Sequence, residues 1–159
     1  MHDLLLIPDC RIAEVTRAGP ASIHINVQAA LCGACCPACH TASQAVHSRY
    51  HRHPADLASF GEAVCLDVLV RRFYCRNPAC PRLTFAEPLP NLLVPRARRT
   101  RRLVATQGGV GIACGGEAGA RLLQRLGMPT SADTVLRLVR KPATTAPFRG
   151  GIPRVGSDP

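Results

Sequence analysis

The chain has 159 residues, enough for one ordinary domain or two small ones, and its formal net charge of +10 is accompanied by only 4% aromatic residues. With 13 Gly and 14 Pro, it reads as small modules joined by linkers rather than one deep core. No apolar run approaches the roughly 20 residues of a membrane span, and the opening Met-His-Asp-Leu-Leu-Leu-Ile-Pro lacks the basic start of a signal peptide, so a cytoplasmic location is expected.

From Arg11 to Ala29 apolar and polar residues alternate on either side of Gly19-Pro20, a β-hairpin signal expected to occupy residues 1–30. Residues 31–90 read as a small antiparallel sheet module. Its first cysteine hook falls between Cys32 and His40, followed by a short strand from Gln44 to Arg52 that Pro54 stops. A longer strand rich in Val and Leu runs from Glu62 to Tyr74 straight into a second hook, and Leu83 to Ala86 gives a short return strand. Pro88, Pro90 and Pro95 mark a linker, placed at 91–95. Beyond it the apolar period moves from two towards 3.6. Residues 96–141 are expected to form three helices: about Ala97 to Ala113, weakened by Gly108, Gly109 and Gly111; Glu117 to Leu126, with Ala118, Leu122 and Leu126 as its apolar stripe; and one capped by Ser131 that runs to Arg140, with Val135, Leu138 and Val139 inward. The second and third, joined by Gly127-Met128-Pro129-Thr130, have the helix-turn-helix pattern. Residues 142–159 read as an irregular tail. The expected fold class is α+β, a small antiparallel zinc-ribbon β module followed by a three-helix helix-turn-helix module.

The two hooks carry the chemistry. Cys36-Pro-Ala-Cys39 and Cys75-Arg-Asn-Pro-Ala-Cys80 each present two thiols from one turn, and two such pairs complete the tetrahedron that Zn²⁺ prefers. Nine cysteines in a reducing compartment favour metal over disulfides. Cys36, Cys39, Cys75 and Cys80 are the expected ligands of a structural zinc ion. Arg76 beside the second hook favours the thiolate form. Cys32-Gly-Ala-Cys35 forms another hook, so Cys35 could replace Cys36, although Cys36 is favoured. Cys10, Cys65 and Cys114 read as small buried hydrophobes, and His40, His47, His51 and His53 as surface contacts rather than ligands. The chain contains no HExxH, phosphate-binding glycine loop or spaced acidic pair.

Charge separates the two halves. Residues 1–90 hold 8 Arg/Lys against 7 Asp/Glu, whereas residues 91–159 hold 12 against 3. Arg96, Arg98, Arg99, Arg101 and Arg102 crowd the start of the first helix, the end that the helix dipole makes unfavourable for cations, which suggests a phosphate partner. Arg121 and Arg125 lie one turn apart on the second helix. On the third, Ser131, Thr134, Arg137, Arg140 and Lys141 are placed to meet double-stranded DNA, those near its N-terminus facing base edges. A basic, merely solvated bundle is the plain alternative.

Val46-His-Ser-Arg-Tyr50, Asp56-Leu57, Arg71-Arg-Phe-Tyr-Cys-Arg-Asn-Pro-Ala-Cys80 and Phe85-Ala-Glu87 resemble the N-terminal zinc-finger region of ISL-three family insertion-sequence transposases. Gly115 to Leu122 and Met128 to Arg137 resemble the helix-turn-helix that follows it. The resemblance spans roughly residues 30–141. It implies binding to the terminal inverted repeats of the element, and a ribonuclease-H-like domain with an Asp/Asp/Glu metal site further along. Two departures stand out: His40 occupies a position where the family usually has Gly, and the sequence stops about where the first catalytic strand would begin, leaving Asp158 as a candidate remnant of its Asp. The expectation is therefore a truncated transposase that binds DNA, as a monomer or homodimer, and is not an enzyme. The alternatives are a free-standing zinc-ribbon transcriptional regulator, or one half of a transposase split between two reading frames.

Overall fold

The computed structural model describes residues 7, 9–19 and 21–140. Lys141, Asp158 and the expected tail at 142–159 lie outside the described residues. Among the described residues the architecture is mixed α and β: eight strands and then three helices.

Strands β1 (Cys10–Arg17) and β2 (Ser22–Ala29) pair antiparallel, as the alternation predicts. Two-residue strands β3 (Ala34–Cys35) and β4 (Ala42–Ser43) pair across the first hook. Strands β5 (Val46–Arg52), β6 (Ala55–Ser59) and β8 (Thr84–Ala86) all pair antiparallel with the long strand β7 (Glu62–Tyr74). One pairing departs from the expected antiparallel module. Strand β2 lies parallel to β7, Ser22 opposite Ala63 through Gln28 opposite Leu69, so the hairpin belongs to the same six-stranded sheet. The apolar faces of β2 and β7 explain this, because Ile25 and Val27 complete a core with Val64, Leu66, Val68 and Val70. A parallel partner needs a crossover, and the metal hook and β5–β6 lie within it.

The segment read as a linker also joins this core. Leu89, Leu92 and Leu93 are buried against the even-numbered face of β7. Its prolines stop the strands, but the leucines between them have an apolar surface to cover. Past Val70 that face opens, with Arg72 and Tyr74 exposed, while Phe73 turns to the other side and is fully buried.

The helices are α1 (Arg101–Cys114), α2 (Gly116–Arg125) and α3 (Ala132–Arg140). Helix α1 starts four residues later than the sequence suggests because Thr100 caps it, its side chain accepting from the Leu103 N–H. Ser131 does cap α3, accepting from the Thr134 N–H at 3.2 Å. The inward face of α3 is centred on buried Val135, as expected. On α2 the expected stripe is corrected: Ala118, Leu122 and Leu126 are exposed, and Gly119 and Leu123 are buried instead. Leu103, Gln107 and Gly111 form the buried stripe of α1, at every fourth residue. Gly111 is a close-approach point, since a Cβ there would lie 2.6 Å from Val135 Cγ1 and 2.8 Å from Val139 Cγ2.

Candidate metal centre and basic surface

The four expected thiols converge. The Sγ atoms of Cys36, Cys39, Cys75 and Cys80 all lie within 4.8 Å of one another, and Cys39 and Cys75 are 3.5 Å apart. Tetrahedral zinc with bonds of about 2.3 Å separates its sulfurs by about 3.8 Å, so the cage has the right size and the right soft donors. Among the described residues no other group of three or more His, Cys, Asp or Glu comes close enough to hold a metal. Cys35 is exposed on β3, whereas Cys36 is buried, which decides the first hook for Cys36. His51 instead meets Asp67, Nδ1 to Oδ1 at 2.6 Å. Cys10 and Cys65 are half-buried, and Cys114 is exposed at the end of α1, contrary to its reading as a buried hydrophobe.

Local backbone chemistry builds each hook. The His40 N–H donates to Cys36 O at 2.8 Å and the Cys36 N–H to Thr41 O at 2.9 Å, closing the first turn. His40 stands there at φ +58°, the left-handed region that favours glycine. In the second hook, Asn77 Oδ1 accepts from the Ala79 N–H and Asn77 O from the Cys80 N–H. Phe73 and Phe85, with ring centroids 5.8 Å apart, pack with Cys36 and Cys80 into a small second core.

Four thiols this close share very little negative charge among themselves. The Thr41 hydroxyl and then its backbone N–H stabilise a thiolate at Cys39, whose pKa falls to about 6. The Asn77 N–H does the same for Cys75, but desolvation and the hydrogen bonds from the other thiols outweigh it and push Cys75 up to about 12. Arg76, next to Cys75, is exposed. A dication supplies the positive charge that lets all four ionise together. The role of such a metal is structural, since four protein ligands leave no open position.

Residues 33–80 match the family model for the zinc-finger of transposase IS204/IS1001/IS1096/IS1165. This segment is thus similar to a transposase zinc finger, and its four cysteines are positioned to bind a metal ion. The matched segment begins beside the first hook and ends on Cys80, so the helices lie outside it. Comparisons with curated proteins and with solved structures give no match. Among the described residues no helix is long and apolar enough to cross a membrane.

The expected DNA-contacting residues fall into distinct environments. Arg102 is half-buried and joins the two parts of the fold. Its Nε donates to Asp56 Oδ1 at 2.8 Å, and its Nη2 pairs with Asp56 Oδ2. Asp56 is fully buried and also accepts from the Thr100 hydroxyl at 2.7 Å, so this carboxylate fastens β6 to the start of α1. Arg99 is half-buried and donates to Gln107 Oε1 at 2.7 Å; burial and then the charge of Arg137 lower its pKa. Arg137 is exposed and also pairs with Asp133 at 2.5 Å. Arg96, Arg98, Arg121, Arg125 and Arg140 are exposed, and Arg101 is half-buried. Ser131 and Thr134 are tied to each other, the Ser131 hydroxyl donating to Thr134 Oγ1 at 2.9 Å.

Sequence reasoning missed two structural pairs. Besides Asp56, the Arg71 guanidinium pairs with buried Glu87 and donates to Leu31 O at 2.5 Å, holding the first hook against β7. Asp56, Arg71 and Glu87 fall within the stretches that carry the family resemblance and Arg102 does not, and the spacing alone did not connect either pair.

Proposed function

We propose that residues 33–140 form the DNA-binding region of an insertion-sequence transposase, with double-stranded DNA at the terminal inverted repeats of the element as target. The observation that carries this reading is the transposase zinc-finger match over the same segment that gathers the four thiols. Zinc, held by Cys36, Cys39, Cys75 and Cys80, supplies the rigidity that so small a sheet end lacks. DNA contact is assigned mainly to the basic helices, read as a helix-turn-helix of α2 and α3. Arg137, beside Arg99, would approach the groove, and Arg96, Arg98, Arg101, Arg121, Arg125 and Arg140 the phosphates. Ser131 and Thr134 would contribute through the α3 N-terminus they cap. Strand chemistry is placed outside residues 33–140.

Titration of inverted-repeat and scrambled duplexes against the full chain tests this. Affinity should fall with salt by about 0.9 log units per log unit of salt for each phosphate neutralised, and the repeat should bind more tightly than the scrambled duplex. A flat salt response would remove DNA from the account. Salt-dependent binding with equal affinity for both duplexes would remove the inverted repeats.

A further inference from the structure

A cleft of about 620 Å³ lies where the sheet meets the start of the helices, outside the thiol cluster. Four guanidiniums line it: Arg52 from the edge strand β5, Arg82 from the loop after the second hook, Arg96 from the proline-rich segment, and Arg101 from the first turn of α1. Its one carboxylate, Glu87, is already matched by Arg71 and is almost fully buried. Arg52 is pinned by donating to Ala97 O at 2.5 Å. The Nε of Arg101 is buried without a hydrogen-bond partner. Such an atom is costly to leave unmatched, and here it sits in a wall rich in positive charge.

We infer that this cleft is a phosphodiester-binding site, occupied by the backbone of the same duplex that the helices bind. The inference rests on the DNA-binding reading and extends the footprint from the helices onto the sheet. Guanidiniums are planar forks that grip phosphate oxygens in pairs, and four of them around one cleft select a polyanion over a neutral ligand. Exposed Tyr50 and the apolar wall of Ala86, Pro88 and Pro90 offer contact area for the sugars between phosphates. A second hollow of about 490 Å³ shares Tyr50, Arg82 and Ala86 and adds Arg72, continuing the basic track along the open end of β7. Arg52, Arg72 and Arg82 of this track belong to the half of the sequence whose charge is nearly balanced, and Arg96 and Arg101 to the basic half. The track's arginines form a site because internal acids neutralise Arg71 and Arg102 but leave these facing the cleft.

The test compares the full zinc-loaded chain with R82A/R96A, both exposed positions, and with R121A/R125A on α2. Zinc content and thermal midpoint confirm that each variant folds. Loss of two phosphate contacts should reduce the salt slope of duplex binding by about 1.8, so that between about 50 and 200 mM salt the wild type loses about 12-fold more affinity than R82A/R96A. An unchanged slope in R82A/R96A, with a reduced slope in R121A/R125A, overturns the cleft and leaves the helices as the DNA surface. Absence of salt-dependent binding by the wild type overturns both readings. Stabilisation of the wild type by inorganic phosphate that R82A/R96A loses, with an unchanged DNA slope, would assign the cleft to a free anion and overturn the duplex occupant.

Discussion

Two of the buried polar centres in this protein solve the problem of buried charge in opposite ways. At the junction of sheet and helices, Asp56 finds its counter-charge within the chain, in Arg102, with the Thr100 hydroxyl as a further donor. At the far end of β7, four thiols face one another, and a bound metal would supply the charge that balances their thiolates. A self-neutral pair needs only correct packing. A thiolate cage makes folding depend on an ion, and makes its stability depend on pH and metal supply.

The largest test of this contrast is removal of the metal. Native mass spectrometry should find one zinc ion per chain, lost in Cys75→Ser or Cys80→Ser, and the ribbon should unfold with a loss on the order of 10–16 kcal/mol of apparent binding energy. A chain that stays folded and metal-free would break the comparison. Zinc affinity should also rise with pH, because the Cys75 proton, held up to about 12 in the cluster, must leave on binding. Competition titrations with a chromophoric chelator would read this sign, and pH-independent affinity would contradict it.

Asp56→Ala comes next. It leaves the Arg102 guanidinium beside a cavity and should cost about 3–5 kcal/mol in urea unfolding, with zinc stoichiometry unchanged. If zinc were lost as well, the two centres would not be independent. Gly111→Ala should cost about 1–3 kcal/mol, overpacking against Val135 outweighing a helix-propensity gain of about 1 kcal/mol. A stabilised variant would mean that α1 and α3 separate easily. The smallest effect is expected at the first hook: His40→Gly should stabilise the zinc-loaded chain by about 1 kcal/mol by relieving the left-handed backbone, a rise readable in the thermal midpoint.

Legibility followed locality. Strand β7 matches its expected span from Glu62 to Tyr74 because a long Val/Leu run flanked by turns has few alternatives. The four thiols were legible from spacing, since each pair lies within one turn. Strand β6 was missed because Ala55–Ser59 carries no alternation, and it exists because β7 offers it hydrogen bonds and Asp56 a buried partner. The α2 stripe was misread because one of its two buried positions is Gly119, which lies against Val110 and Val135 and carries no apolar side chain to mark the face. The Arg102–Asp56 pair was not legible because charge counting cannot connect a cation with an acid 46 residues away.

The two hooks, the long strand between them, the helix cap at Ser131 and the basic bias of the second half are all legible in the amino-acid sequence. All of these depend on residues within a few positions of one another. Only the tertiary structure decided that Cys36 rather than Cys35 faces the other thiols, and that the first hairpin runs parallel to β7. It also decided which arginines are neutralised by buried acids and which line the cleft. Those outcomes depend on which distant groups meet, and burial and charge balance are properties of the meeting rather than of either residue alone.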